Sequence, residues 1–301
     1  MTDENEADLF AAREPPPRAL TRISPLVRRL IAPNASPFTF NGTCTYIVGA
    51  GAVAVVDPGP GDEAHLAAIL AAAEGETITT ILVTHTHRDH SPLARRLGRA
   101  TRGPIIGAAP FAPKGGSGSG LEDAHDRNYA PDRVLEDGER LTLTGFAVEA
   151  VATPGHCANH LCFALVEEAA LFSGDHVMAW STSVVAPPDG SMAAYMASLA
   201  KLRERKERIY WPGHGGPVAE PQRYVGALIH HRRQREAAIL AALEQGAETI
   251  PQLVARVYVG LSPQLTRAAG LSTLAHLEDL RARGRVRVLA SASGEARFRL
   301  S

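Results

Sequence analysis

Apolar positions fall in short runs over roughly the first 218 residues and at helical spacing over the remainder. Phe38-Thr39-Phe40, Thr43 to Val48 and Ala52 to Val56 are β-branched or aromatic runs. Asn41-Gly42 and Gly49-Ala50-Gly51 divide them, which predicts three strands. The third run stops at Asp57-Pro58-Gly59-Pro60-Gly61, a strand terminator. Leu66, Ile69 and Leu70 then share one face of a helix expected over residues 62–74. Thr79 to Thr84 reads as a buried strand ending abruptly at His85, with a helix expected over Ser91 to Leu97 and a strand at Ile105-Ile106. Strand patterns return at Arg140 to Leu143, Ala147 to Ala152, Leu161 to Val166, Ala170 to Ser173 and Ile209-Tyr210-Trp211. Between the last two, Met192, Tyr195, Met196, Leu199 and Leu202 step by three and four, predicting a helix from Met192 to Glu207.

Three stretches break this alternation. Residues 1–20 are acidic and carry Pro15-Pro16-Pro17, so a solvated tail is expected. Lys114-Gly115-Gly116-Ser117-Gly118-Ser119-Gly120 packs no core and reads as a surface loop, either a tolerated insertion or a lid beside a groove. After Pro217 the pattern becomes helix (Gln222 to Gln245), helix (Ile250 to Val257), helix (Thr266 to Arg283), then two alternating runs around the turn Ser291-Ala292-Ser293-Gly294. Thr249 and Ser272 are the expected caps or turns. Helix, helix, helix, hairpin resembles a winged helix-turn-helix, giving domains at 21–218 and 219–301.

Composition narrows the function. With 301 residues and 45% hydrophobic positions, the chain can bury a sizeable core. The net charge of −1 argues against a global polyanion-binding surface. It conceals a split, however: residues 219–301 hold 12 Arg and no Lys against 7 acidic residues, or +5, leaving −6 for the rest. Arg285, Arg287, Arg297 and Arg299 fall on one parity of the final hairpin, a face suited to nucleic-acid phosphates, to solvent or to a second copy in a homodimer. Three cysteines make no disulfide scaffold, so Cys44, Cys157 and Cys162 are expected as core or space-filling thiols. No apolar run approaches transmembrane length and the first residues lack a signal-peptide pattern, so the expected compartment is cytoplasmic, with no membrane partner.

The chemistry gathers at strand ends. Thr84-His85-Thr86-His87-Arg88-Asp89-His90 places His85, His87, Asp89 and His90 directly after a buried strand, where an irregular turn can aim them at a common point. Imidazole with carboxylate suits zinc, with manganese or iron as alternatives, and no clustered thiolates suggest a structural cysteine site. Thr153-Pro154-Gly155-His156, Ser173-Gly174-Asp175 and Pro212-Gly213-His214-Gly215 repeat the design, each setting a His or Asp at a strand end beside a glycine. His160 and His176 lie near these groups as candidate hydrogen-bonding supports, whereas His65, His125, His230, His231 and His276 read as surface or packing residues.

These residues resemble the metallo-β-lactamase superfamily. HxHxDH matches at residues 85–90, and the later His, Asp and His match at His156, Asp175 and His214. The resemblance covers roughly residues 20–218 and implies an α+β fold, a four-layer αββα sandwich, here followed by a small C-terminal winged-helix domain. It further implies that His85, His87 and His156 bind one divalent ion and that Asp89, His90 and His214 bind a second. Asp175 would bridge the two, and Asp89 would orient an attacking hydroxide. The run from Asn41 to Tyr46 resembles the entry strand of hydroxyacylglutathione-hydrolase-like members, with Cys44 where that pattern has Asn, and the run from Thr153 to His160 resembles their TPGHxxxH form. Trp180 to Val185, the following helix and the winged-helix-like tail together resemble the mitochondrial β-lactamase-like endoribonuclease group and its bacterial relatives. The implied activity is a binuclear metallohydrolase acting on single-stranded RNA, or on a thioester or ester in the manner of glyoxalase II or a lactonase. A nucleic-acid-binding protein with a vestigial metal site is the alternative of another class, and the intact ligand set speaks against it.

Overall fold

The computed structural model describes residues 18–113, 124–246, 248–289 and 296–301. The expected tail up to Arg13-Glu14 and its prolines, the loop Lys114 to Gly120 and the turn Ser291 to Gly294 lie outside the described residues. Seven strands form a mixed sheet in chain order: β1 (Thr21–Arg22), β2 (Val27–Ile31), β3 (Cys44–Ala50), β4 (Ala52–Val56), β5 (Thr77–Val83), β6 (Ile105–Gly107) and β7 (Arg133–Val134). The first four are antiparallel and β4 to β7 run parallel. A second sheet contains β8 (Arg140–Leu143), β9 (Phe146–Ala152), β10 (Leu161–Leu165), β11 (Ala170–Gly174) and β12 (Ile209–Pro212), in the order β12-β11-β10-β9-β8.

Strand alternation builds the layers. In β3, Cys44, Tyr46 and Val48 face the second sheet, where the Tyr46 ring lies 5.1 Å from Phe172, while Ile47 faces outward. Val53 and Val55 of β4 join Ile47 in an outer core covered by α1 (Glu63–Ala72) and α2 (Ala94–Thr101). On the far side, α3 (Met192–Arg203) and α4 (Pro221–Glu244) cover the second sheet through Tyr195, Leu199, Tyr224 and Leu228. The result is the expected αββα sandwich, helices outside two facing sheets. A further small core joins the end of α4 to α5 (Ile250–Val257), α6 (Thr266–Ala282) and the hairpin β13 (Val286–Leu289) and β14 (Arg297–Leu300). Among the described residues no helix is long and apolar enough to cross a membrane.

The structure corrects several local expectations. Phe38-Thr39-Phe40 is a turn closed by a Ser36–Phe40 bridge, with Phe40 at φ +56° and its ring stacked 5.1 Å from Trp180. The strand β2 was masked in sequence by Arg28-Arg29, whose charges break an apolar run. Arg28 bonds Glu76 and the Ala72 carbonyl at the sheet margin. The helix expected from Ser91 starts at Ala94, because Ser91 is held to the His87 carbonyl in the preceding turn. The helix expected to reach Glu207 ends at Arg203, since Glu207 pairs with Arg205 instead. Ser272 is buried inside α6 and caps nothing, whereas Thr249 does cap α5 in a capping box with Gln252.

Candidate metal centre

Five strand ends converge on one edge of the two sheets: those of β4, β5, β9, β11 and β12. After β5, residues 84–90 fold into a turn held by His90 N–H and Ser91 N–H donating to the His87 carbonyl. This irregular backbone lets residues of mixed parity point one way. Gly155 and Gly213 permit the close approach of the other segments. A Cβ on Gly155, at φ +148°, would lie 2.3 Å from Tyr195 Cα, and one on Gly213 would lie 2.5 Å from Asp175 Oδ1.

Two clusters of donor atoms result. His85, His87 and His156 form the first: His87 Nδ1 lies 3.0 Å from both His85 Nε2 and His156 Nε2. Asp89, His90, Asp175 and His214 form the second. There, His214 Nε2 is 3.1 Å from Asp89 Oδ2, and Asp175 Oδ1 is 3.4 Å from both His90 Nε2 and His214 Nε2. Asp175 also turns Oδ2 toward His156, at 3.8 Å, so its carboxylate stands between the clusters. The seven residues singled out in sequence are thus brought together.

The surroundings fix which nitrogens face inward. His85 Nδ1 meets Thr84 Oγ1 at 3.0 Å, His90 Nδ1 meets Asp57 Oδ2 at 2.9 Å, and His156 Nδ1 meets the Val184 carbonyl at 2.6 Å. Each leaves Nε2 turned toward the common centre. His90 Nε2, His214 Nε2 and Asp175 Oδ1 are buried there with no hydrogen-bond partner among the described residues. Burial and neighbouring imidazoles hold His85 and His87 well below the usual histidine pKa, in the neutral form that ligates metals. Burial acts the same way on His214, but Asp175 and Asp89 outweigh it and raise its pKa to about 9. His90 is likewise raised against burial by Asp89, Asp175 and Asp57. The second cluster therefore favours positive charge at a buried site, a demand that a divalent cation would meet. The all-nitrogen-and-oxygen donor sets, adjacent and bridged by Asp175, fit a dinuclear metal site.

His160 stands behind the ligands, with Nδ1 2.8 Å from Thr153 Oγ1 and Nε2 accepting from the Asp175 amide at 3.1 Å. His176 is fully buried, and neither of its ring nitrogens has a hydrogen-bond partner among the described residues. Two participants were missed in sequence. Asp57, at φ +48°, accepts from Thr84 N and Oγ1 besides meeting His90, and its only sequence signal was the strand stop it begins. His125, expected as a surface or packing residue, is buried, stacks on Phe111 at 3.9 Å and has its ring 4.5 Å from His87. The arginines of the final hairpin lie apart from this centre in the separate two-stranded sheet, where Arg297 and Arg299 are paired with Glu248.

A cavity of about 520 Å³ opens onto the clusters, with His87, Asp89, His156 and Asp175 in its lining. Its walls are mainly apolar, including Phe38, Phe111, Met178, Val184 and Pro187. Gln264, Arg267, Ala268 and Leu271 also line it, so the C-terminal unit contributes to the pocket. Buried thiols offer no nucleophile: burial pushes Cys44 up to about 11 and Cys162 to about 12, and Cys157 rises as well.

Comparison with known proteins agrees with this geometry. Residues 38–214 match the model of the Metallo-beta-lactamase superfamily, and residues 249–294 match the Beta-lactamase associated winged helix domain. A beta-lactamase-like protein 2 homolog of Drosophila melanogaster is 32% identical over 92% of this chain and 95% of its own. An atrochrysone carboxyl ACP thioesterase of Cryptosporiopsis sp. is 30% identical over 85% of this chain and 79% of its own. A crystal structure of a metallo-beta-lactamase family protein from Thermus thermophilus superposes with a TM-score of 0.77 at 25% identity, over 93% of this chain and all of that one.

Proposed function

The chain belongs to the metallo-β-lactamase superfamily, as a hydrolase with a His/Asp metal site and a C-terminal winged helix, and on that premise we propose that it hydrolyses an acyl thioester. The observation that carries this reading is the pocket itself. A mainly apolar cavity against the metal clusters suits an acyl group, and Arg88 and Arg267 in its lining suit an anionic part of the thiol carrier. The thioesterase among the relatives supports the same class. The RNA reading draws less support, since two of the four hairpin arginines are engaged with Glu248.

In this reading His85, His87 and His156 hold one ion, Asp89, His90 and His214 the other, and Asp175 bridges them, with zinc favoured by the donor chemistry. Two ions bound there would lower the pKa of a coordinated water toward neutrality and polarise the scissile carbonyl. Asp89 keeps its carboxylate ionised, since His90 and His214 outweigh the effect of burial. It lines the pocket, where it accepts a hydrogen bond from the attacking water and orients it. The apolar walls hold the acyl group beside that water and exclude bulk solvent. The thiolate leaves without needing a proton, so no buried general acid is required. We place the boundary of the catalytic unit near residue 218.

One panel tests the reading: protein loaded with zinc or manganese, assayed on a medium-chain acyl thioester, S-lactoylglutathione, a lactone, a cephalosporin and a short single-stranded RNA. The acyl thioester is expected to turn over fastest. Cleavage of the RNA with no thioester turnover would overturn the proposal.

A further inference from the structure

Arg232 on α4 is 3% exposed, yet among the described residues no carboxylate lies within ion-pair distance of it. Its Nη2 donates to the Ser183 carbonyl at 2.5 Å, and its guanidinium lies over the Tyr195 ring, 5.1 Å from the centroid. Burying a guanidinium against one carbonyl and one aromatic face is costly. Ser183 Oγ donates to the carbonyls of Asp175, at 2.5 Å, and His176, at 2.9 Å. The next residue, Val184, accepts from His156 Nδ1 through its carbonyl at 2.6 Å. Tyr195 completes the set, its hydroxyl donating to the His176 carbonyl at 3.0 Å. Two adjacent residues therefore touch one donor of each metal cluster, and a helix outside the sandwich pins them from behind.

We propose that Arg232 is a positioning residue for the metal centre. By fixing the Ser183 carbonyl it holds the Ser183 hydroxyl under the Asp175 backbone and the Val184 carbonyl against the His156 ring. The bridging carboxylate and a first-cluster imidazole then keep their orientations together. The inference rests on the metal-centre reading above. It assigns to α4 a part in metal binding that none of the seven donor residues supplies.

Cobalt(II) titration of the metal-free, full-length protein, followed by visible absorption, tests it. The parent is expected to take up two equivalents. Arg232→Met fills the guanidinium volume with apolar atoms, so the metal-free variant is expected to melt at or above the parent temperature. Its cobalt affinity is expected to fall 10- to 100-fold with shifted ligand-field bands, as for the loss of other groups that orient ligands. Arg232→Lys, retaining one donor for the Ser183 carbonyl, is expected to recover part of both. A parent-like spectrum and affinity in Arg232→Met would overturn the inference. If that variant does not fold, Ser183→Ala serves instead: a shifted cobalt spectrum supports the relay, and an unchanged one overturns it. A parent that takes up no cobalt overturns the metal-centre reading, and this inference with it, before any substitution is made.

Discussion

Asp57 shows how much one side chain can carry at this site. It is buried, sits in the left-handed region, and its two carboxylate oxygens receive Thr84 N, Thr84 Oγ1 and His90 Nδ1. Removing it frees the His90 ring and leaves the Thr84 amide without its acceptor. Asp57→Ala is therefore expected to weaken metal affinity 10- to 100-fold, with Asp57→Asn intermediate, as measured by competition with a chromophoric chelator. Unchanged affinity in Asp57→Ala would show that His90 needs no such support. In sequence Asp57 was only the first residue of a strand-ending turn, 33 positions from its partner. His125 was equally silent: nothing local announces that it will stack on Phe111 beside His87. The seven donor residues were readable because four fall within the six residues that follow one buried strand, and the other three each stand beside a glycine at a strand end.

Elements were readable where burial is uniform. The run Thr77–Val83 is apolar and β-branched because β5 is central and covered on both faces. Near the first sheet's edge that signal fails: β2 carries two arginines, and β1 and β7 are two residues each. Helix termini depend on contacts as well as propensity, which is why α2 begins late and α3 ends early. Thr249 is a terminus written in local chemistry, with its side chain and that of Gln252 satisfying each other's backbone amides. Thr249→Ala is expected to cost about 1 kcal/mol, lowering the calorimetric melting temperature by roughly 2 °C. No measurable shift would mean that tertiary packing alone holds α5.

At the scale of the whole molecule, the C-terminal unit is no detachable appendage. Tyr224, Val225, Leu228 and Ile229 of α4, with Ala275 of α6, pack into the same core as Val151, Cys162 and Leu171 of the second sheet. A chain ending at residue 218 is expected to lose cooperative melting in circular dichroism, and a soluble, cooperatively folded fragment would refute this. The same interface carries a pH dependence. His276 is buried, and burial, with Arg232 and His231 nearby, holds its pKa at about 3. A histidine kept neutral in the fold contributes stability above its unfolded pKa of about 6.5. That contribution fades as pH falls toward 3, since only the unfolded chain then binds the proton. Denaturant melts are expected to show His276→Leu gaining about 2 kcal/mol more over the parent at pH 5 than at pH 7.5, and a pH-independent difference would contradict it. The sequence alone determined the strand and helix order and the donor residues, because periodicity and strand-end chemistry are local properties of the chain, and its resemblance to the metallo-β-lactamase superfamily implied the sandwich and the division of the donors between two ions. Tertiary structure decided that Asp57 meets His90, that Arg232 meets the Ser183 carbonyl, and that α6 lines an apolar pocket beside the donors. Those outcomes depend on contacts between segments far apart in the chain, which form only when both sheets and α4 are packed together.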